Sequence, residues 1–155
     1  MKYIRTVNHA PGAPGLRFLG LGPFWLPCRG LKKLKNLLDN EAFWAVNRSE
    51  KNLRKMLSNS SEVISLWSKN KLIGFGRATS DHVFRAVLWD IVIKSEYKGH
   101  GLGKMIVNSL LKRKSIKNVQ KVYLMSTNNS GFYKQLGFKI SDDQNLMYLL
   151  KKEKS

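Results

Sequence analysis

The sequence predicts a single α/β domain, built on a mixed β-sheet that is flanked by helices. Its 155 residues suit one domain that is large enough to bury a core. Runs rich in β-branched and aromatic residues alternate with stretches in which leucines recur at helical spacing. We find no internal repeat, low-complexity tract or linker that would divide the chain.

The N-terminal stretch differs from the rest, because residues 9–30 contain all four prolines of the chain. Proline removes a backbone donor, and glycine permits unusual backbone angles, so both interrupt regular structure. We therefore predict an irregular segment over residues 1–30 that packs on the domain, and the domain itself over residues 31–155.

Two helices are predicted to open the domain. Leu31, Leu34, Leu37 and Leu38 fall on one face at helical spacing. The second helix is predicted to begin after Ser49, because a serine hydroxyl can accept a hydrogen bond from the first turn.

Two strand-like runs follow, over residues 62–68 and 71–79. Only Lys69 and Asn70 separate them, which is the length of a tight hairpin turn. The two runs are therefore predicted to pair as antiparallel strands. Two glycines inside the second run indicate a bulge or a close approach of another element.

The C-terminal half of the domain is predicted to complete the sheet and its helical cover. A short helix there is predicted to end at Gly137, because glycine suits the left-handed position after a helix. The predicted strands are residues 86–94, 121–126, 138–140 and 146–150, and the predicted helices are residues 102–114 and 131–136.

The chain is strongly basic, with a net charge of +18 from 28 basic and 10 acidic residues. Both halves contribute, since residues 1–80 hold 14 basic and 4 acidic residues and residues 81–155 hold 14 and 6. A positive field raises the local concentration of phosphorylated ligands, acidic proteins and nucleic acids. Lysines outnumber arginines, however, whereas specific base recognition depends on arginine, so nucleic-acid recognition is disfavoured.

Several classes of protein are excluded by composition. Cys28 is the only cysteine, which rules out an internal disulfide and favours a reducing compartment. The most apolar stretch, residues 18–28, is about half of the ~20 residues that a membrane span needs, and no secretion signal is evident. His9, His82 and His100 lack metal-ligand spacing, so no metal site is predicted.

One carboxylate, Asp90, lies inside the otherwise apolar run of residues 87–93. A buried carboxylate is costly unless it is hydrogen-bonded or neutralised. Burial raises the pKa of such a group, which suits a general base or a proton relay. The alternative is a structural ion pair with a nearby arginine, Arg77 or Arg85.

A glycine-rich loop follows that strand, with Gly99, Gly101 and Gly103 at every second position. The pattern is not a P-loop, because no Ser or Thr follows Gly-Lys, and its spacing differs from that of a dinucleotide fingerprint. A backbone without side chains at a helix N-terminus can bind an anion, although a tight turn without a ligand is the alternative. The basic residues that would reinforce an anion site are Lys98, His100 and Lys104.

The predicted strand, the stretch KGHGLG and the predicted helix together resemble the acyl-CoA-binding motif of the GNAT superfamily of N-acetyltransferases. That motif has Arg or Gln, two further residues, Gly, any residue, and Gly or Ala. Gly101 and Gly103 match it, while Lys98 at the first position is a departure. The resemblance extends over about residues 30–150 and implies a mainly antiparallel sheet.

Two further stretches carry the resemblance. GFYKQLGF, residues 131–138, is similar to the tyrosine-bearing helix and the Leu-Gly-Phe sequence of the family. RATSDHVFRAVLWD, residues 77–90, resembles the plastid and cyanobacterial branch, which includes plant plastid lysine and serotonin N-acetyltransferases.

The resemblance implies a mechanism in which acetyl-CoA is the co-substrate. Backbone groups of Ile91, Val92 and Ile93 would pair with the pantetheine arm, and the loop amides would hold the pyrophosphate. Asp90 would deprotonate the amine, directly or through water, and Tyr133 would protonate the departing CoA thiolate. The residues implied in cofactor binding are Ile91, Val92, Ile93, Lys98, Gly99, His100, Gly101, Leu102, Gly103, Lys104, Ser126, Asn128 and Tyr133.

One position in this set departs from the family. Seven residues before the tyrosine the family often has Asn, whereas this chain has Ser126. Asn128 and Asn129 lie close by, so the CoA contact is assigned to this group rather than to one member.

The function predicted is an acetyl-CoA-dependent N-acetyltransferase, which moves an acetyl group to a primary amine without a covalent enzyme intermediate. The acceptor would be a protein lysine, a protein N-terminus or a small arylalkylamine. The alternative is a non-catalytic binding module of the same fold for nucleic acid or an acidic protein. The predicted location is the plastid stroma or a bacterial cytoplasm, with no membrane partner.

Overall fold

The computed structural model describes residues 3–9 and 29–151. The chain divides into two compact units, Met1–Met125 and Ser126–Ser155. Within the described residues of the first unit the strands are β1 (Ile4–His9), β2 (Glu62–Ser68), β3 (Lys71–Ser80), β4 (Arg85–Ile93) and β5 (Lys121–Leu124). The helices are α1 (Gly30–Glu41), α2 (Glu50–Ser58) and α3 (Leu102–Leu111) in the first unit, and α4 (Ser130–Lys134) in the second.

The five strands form one sheet in the order β1-β2-β3-β4-β5. The first three pairings are antiparallel, and only β4 and β5 run parallel. The prediction of an α/β fold with a mixed, mainly antiparallel sheet is therefore confirmed. The predicted hairpin is also confirmed, with Lys69 in the left-handed region at a φ of 53°.

Both ends of the chain differ from the sequence-based prediction. Ile4–His9 form an edge strand that pairs with β2, so the prediction of an irregular segment over residues 1–30 is wrong there. Val7 and His9 on this strand are buried, so its pairing with β2 removes these side chains from water. Residues 10–28, with Cys28, lie outside the described residues.

The two strands predicted at the C-terminus do not form. Residues 138–151 contain no strand, and the side chains of Leu146–Leu150 are exposed. An apolar run stabilises a strand only where a neighbouring strand pairs with its backbone and covers its side chains. The sheet of the described residues consequently ends at β5.

The predicted helices of the first unit are confirmed. The four leucines of α1 are buried in a cluster with Phe75 of β3 and Val92 of β4. Ser49 caps α2, because its hydroxyl oxygen accepts the Asn52 backbone N–H at 3.2 Å. Burial of one leucine contributes about 1.5–3 kcal/mol, so the cluster fixes these helices against the sheet.

The opposite face of the sheet packs tightly against α3. A Cβ atom on Gly76 would lie 2.5 Å from Cγ2 of Ile106, and one on Gly74 would lie 3.2 Å from Cδ1 of the same residue. The predicted close approach at these two glycines is therefore confirmed. The middle of α3 therefore packs directly on β3.

Candidate active site

A β-bulge interrupts β4 at the single acid of the strand. The register shifts so that Gly76 on β3 faces both Asp90 and Ile91 on β4. Asp90 has a φ of 52°, a left-handed conformation that aspartate tolerates better than most residues. As a result, Trp89 and Asp90 both contact Arg77, although neighbouring side chains of a regular strand point to opposite faces.

The Asp90 carboxylate is buried and receives three donors. Arg77 donates from Nε to Oδ2 at 2.8 Å, and Arg48 donates from Nη1 to the same oxygen at 3.1 Å. The indole N–H of Trp44 lies 3.3 Å from Oδ1. Only 4% of the Asp90 side chain is exposed, so these donors replace most of its water.

The pKa of Asp90 is lowered from its ordinary value. Burial alone would raise it, but the charges and hydrogen bonds of Arg77 and Arg48 outweigh the loss of water. The expectation of a raised pKa is therefore wrong. The predicted alternative of an arginine partner is found with Arg77, whereas Arg85 donates to the Phe84 carbonyl and to Gln120.

Arg48 and Trp44 were not predicted from the sequence. They lie 42 and 46 residues before Asp90, in the connection between α1 and α2, and no local pattern links them to the strand. About a third of the Arg48 side chain and half of Trp44 are exposed, and the Trp44 ring meets Phe43 edge to face at 5.1 Å. They connect the buried carboxylate to the surface.

The glycine loop adopts the backbone that its sequence predicts. Gly99 and Gly101 have φ values of 79° and 74°, and Gly101 is the N-cap of α3. No described side chain caps this helix, and its first turn contains no acid. The N–H groups of the first turn therefore point to a position that favours an anion.

The three basic residues of the loop differ in their contacts. Lys98 donates to Glu41 at 3.3 Å and to the Ser95 hydroxyl at 3.2 Å. His100 turns back onto the loop, with Nδ1 2.9 Å from the Lys98 carbonyl oxygen. Lys104 is exposed at the start of α3. Two of the three side chains thus stabilise the loop itself.

Strand β4 is open along part of its outer side. Its pairing with β5 covers Arg85–Leu88 and stops there. Among residues 3–9 and 29–151, no strand pairs with Ile91, Val92 or Ile93 on that side. An extended chain could add to this edge through its main-chain groups.

The second unit holds Tyr133 in a short capped helix. The Gly137 N–H bonds to the Lys134 carbonyl at 3.0 Å and the Phe138 N–H to the Tyr133 carbonyl at 3.1 Å, which is a Schellman cap. The Tyr133 ring packs edge to face on Phe132 and Phe138. Burial raises the pKa of Tyr133 above 10.0, so its hydroxyl stays protonated at neutral pH.

The predicted CoA contacts near this helix lie at its start. The Ser126 hydroxyl oxygen accepts the Asn129 backbone N–H at 3.1 Å. This hydrogen bond stabilises the turn before α4. Asn128, between them, is exposed.

The described residues hold neither a metal-ligand cluster nor a membrane-spanning helix. No group of three or more His, Cys, Asp or Glu side chains is placed to hold a metal ion in residues 3–9 and 29–151. In the same part of the chain, no helix has the length and apolar character to cross a membrane.

Comparison with known proteins identifies the family. Residues 31–138 match the acetyltransferase (GNAT) family, and the chain belongs to it. A probable acetyltransferase from Staphylococcus aureus superposes with a TM-score of 0.71 over 96% of this chain and 100% of its own, at 19% identity. That likeness shows the fold, and the predicted resemblance to the GNAT superfamily is confirmed.

Relatives point to the plastid branch. An uncharacterized N-acetyltransferase, ycf52, of Pyropia yezoensis is 38% identical over 113 residues, which cover 70% of this chain and 64% of the relative. A chloroplastic GCN5-related N-acetyltransferase 2 of Arabidopsis thaliana is 41% identical over 71 residues, 45% of this chain and 28% of the relative. The chain thus spans less than two thirds of these relatives.

Proposed function

We propose that this protein is an acetyl-CoA-dependent N-acetyltransferase that acetylates a primary amine. The observation that carries the proposal is the order of three features along one strand and helix: a bulge at Asp90, an open edge at Ile91–Ile93, and an uncapped α3 behind a glycine loop. Membership of the acetyltransferase (GNAT) family supports it.

The cofactor would bind along this path. The open edge of β4 would offer main-chain groups to the extended pantetheine arm, and the amides of residues 99–104 would bind the pyrophosphate. Lys104 and the helix dipole add positive charge where the phosphates would lie. Ser126 and Asn128 are the further residues that we assign to CoA.

Transfer of the acetyl group needs two proton movements. The neutral amine attacks the thioester carbonyl, a C–N bond forms, the C–S bond breaks, and CoA leaves as a thiolate. We assign the proton donor for this thiolate to Tyr133, the tyrosine at the position that the family resemblance implies, and its hydroxyl is protonated at neutral pH.

Asp90 is the candidate group on the amine side. Two arginines lower its pKa, so the carboxylate is ionised but weakly basic. We propose that it takes the proton of the amine through water, and that its bonds to Arg48 and Trp44 hold these side chains toward the acceptor. A protein lysine, a protein N-terminus and an arylalkylamine all meet this chemistry.

The net charge of +18 favours acceptors in acidic surroundings. The chloroplastic relative supports a place in the plastid stroma, with a bacterial cytoplasm as the alternative.

Binding of acetyl-CoA is the first test, by calorimetry and thermal unfolding. At about 100 times its dissociation constant, the ligand should stabilise the fold by roughly 2.7 kcal/mol. Gly101→Ala should abolish most of this gain, because the added Cβ would lie where the anion must approach the loop amides. The φ of 74° at this position is also one that alanine rarely adopts. Gly137→Ala is the matched control, since Gly137 has a φ of 89° and equally open surroundings but lies outside the loop.

Mass spectrometry of a mixed peptide and amine library with acetyl-CoA then identifies the acceptor. No stabilisation of the parent protein by saturating acetyl-CoA would overturn the proposal. Binding without acetylation of any amine would favour a non-catalytic module of the same fold.

A further inference from the structure

A partly buried acid links α1 to the glycine loop. Glu41, the last residue of α1, accepts the Ser95 backbone N–H on Oε1 at 2.9 Å and the Ser95 hydroxyl on Oε2 at 2.6 Å. The same Oε2 receives Lys98 at 3.3 Å. Only 9% of the Glu41 side chain is exposed, and the proposed chemistry does not use it.

Glu41 is ionised at neutral pH. Burial opposes its charge, but the bonds from Ser95 and Lys98 outweigh burial and lower its pKa. A negative charge beside an anion site repels phosphate and reduces the free charge of Lys98. Electrostatics alone would therefore select against an acid here, so any benefit of Glu41 to cofactor binding must come from geometry.

The contacts of Glu41 fix the segment that leads into the loop. Ser95–Tyr97 form a single turn between β4 and the loop. The Glu41 carboxylate bonds to Ser95 at the start of this turn and to Lys98 directly after it. Lys98 bonds to Ser95 as well, which closes a triangle of three side chains. The loop backbone follows directly at Gly99.

We propose that Glu41 is a positioning residue for cofactor binding, which holds Ser95 and Lys98 so that the loop amides are preorganised for the diphosphate of acetyl-CoA. This rests on the proposed use of acetyl-CoA by the same loop. Preorganised donors bind an anion more tightly because no ordering of the loop opposes binding.

The chain offers a matched control one residue beyond Ser95. Glu96 is about half exposed and forms one ion pair, with Lys94 at 3.2 Å. Glu96→Gln and Glu41→Gln each remove one negative charge, the first from the Ser95–Tyr97 turn and the second from the end of α1 that contacts it. Only the second also replaces the carboxylate oxygen that accepts from both the Ser95 hydroxyl and Lys98 by an amide NH2 group, which donates.

The test compares the dissociation constants of acetyl-CoA and S-acetylpantetheine by calorimetry, with thermal unfolding to monitor stability. If Glu41 positions the loop, Glu41→Gln should weaken acetyl-CoA binding by roughly tenfold. Loss of the negative charge alone would instead strengthen the binding of an anion. Glu96→Gln should leave binding unchanged or slightly tighter. S-acetylpantetheine, which lacks the diphosphate, should bind both variants like the parent protein.

A second variant keeps the test informative if Glu41→Gln unfolds. Ser95→Ala removes one donor to Glu41 and leaves every charge in place, so it should weaken acetyl-CoA binding in the same direction by about threefold. The proposal is overturned if Glu41→Gln binds acetyl-CoA as tightly as Glu96→Gln, or if it loses affinity for both ligands alike. If the parent protein binds no acetyl-CoA, the proposed function fails, and this role fails with it.

Discussion

Arg77 and Asp90 meet across the bulge between β3 and β4, with Nε 2.8 Å from Oδ2. The side chains are only 13% and 4% exposed, so this ion pair lies among the most enclosed charges of the described residues. Removal of one partner from a buried pair leaves the other charge without compensation. The pair therefore makes stability depend on the ionisation of Asp90.

We expect Asp90→Asn to lower the free energy of unfolding at pH 7 by about 3 kcal/mol. The folded pKa of Asp90 is lowered, so its contribution is complete above the unfolded value of about 3.9 and is lost as pH falls through the folded pKa. The difference between parent and variant should thus shrink below about pH 4. Urea unfolding from pH 7 to pH 2 measures it.

Glu96→Gln is the control for this experiment, because Glu96 is about half exposed and pairs with Lys94 at the surface. It should change stability little at any pH. A pH-independent difference for Asp90→Asn would contradict the assignment of the stabilisation to the ionised carboxylate.

The core elements of the fold could be predicted because their signals are local. Leucine spacing predicts α1, Ser49 predicts the start of α2, and the two-residue connection at Lys69 predicts the hairpin. The strands at the chain ends were mispredicted for the same reason. Whether Ile4–His9 or Leu146–Leu150 join a sheet depends on a neighbouring strand that their own sequence does not encode.

The candidate site could be predicted only in part. Asp90 and the loop glycines stand out in the sequence because an acid and three glycines interrupt otherwise regular patterns. Arg48, Trp44 and Glu41 lie more than 40 residues before their partners in the sequence and reach the site through the packing of α1 and its following turn. Since those arginine contacts reverse the effect of burial, the pKa of Asp90 could not be predicted without them.

Gly76 should be the glycine of β3 that tolerates substitution least. A Cβ there would lie 2.5 Å from Ile106 and 2.8 Å from Ile91, so Gly76→Ala must displace α3 or the bulge. We expect a loss of about 1–3 kcal/mol in the free energy of unfolding, typical of overpacking. Chemical denaturation measures it.

Gly131→Ala is the matched control, because Gly131 lies in α4 with no neighbouring atom within 4 Å of the added carbon. Alanine should be neutral or stabilising at that helical position. Equal losses in the two variants would contradict the argument from packing.

Tyr133→Phe should separate proton donation from binding. The substitution removes only the hydroxyl and keeps the ring that packs on Phe132 and Phe138. We expect a change of less than about 1 kcal/mol in stability and nearly intact acetyl-CoA affinity. Loss of a general acid should instead lower kcat by about 10² to 10⁴.

The dependence on pH provides an independent check. A tyrosine donates a proton only below its pKa, and burial places the pKa of Tyr133 above 10.0. The rate of the parent protein should therefore not fall from neutral pH to about pH 9 through loss of this donor. A thiol-release assay measures kcat across that range, beside calorimetry with acetyl-CoA.

Tyr148→Phe, at a residue that is 83% exposed, is the control for loss of a phenol. A Tyr133→Phe protein that is stable, binds acetyl-CoA and keeps the parent kcat would exclude Tyr133 from proton transfer.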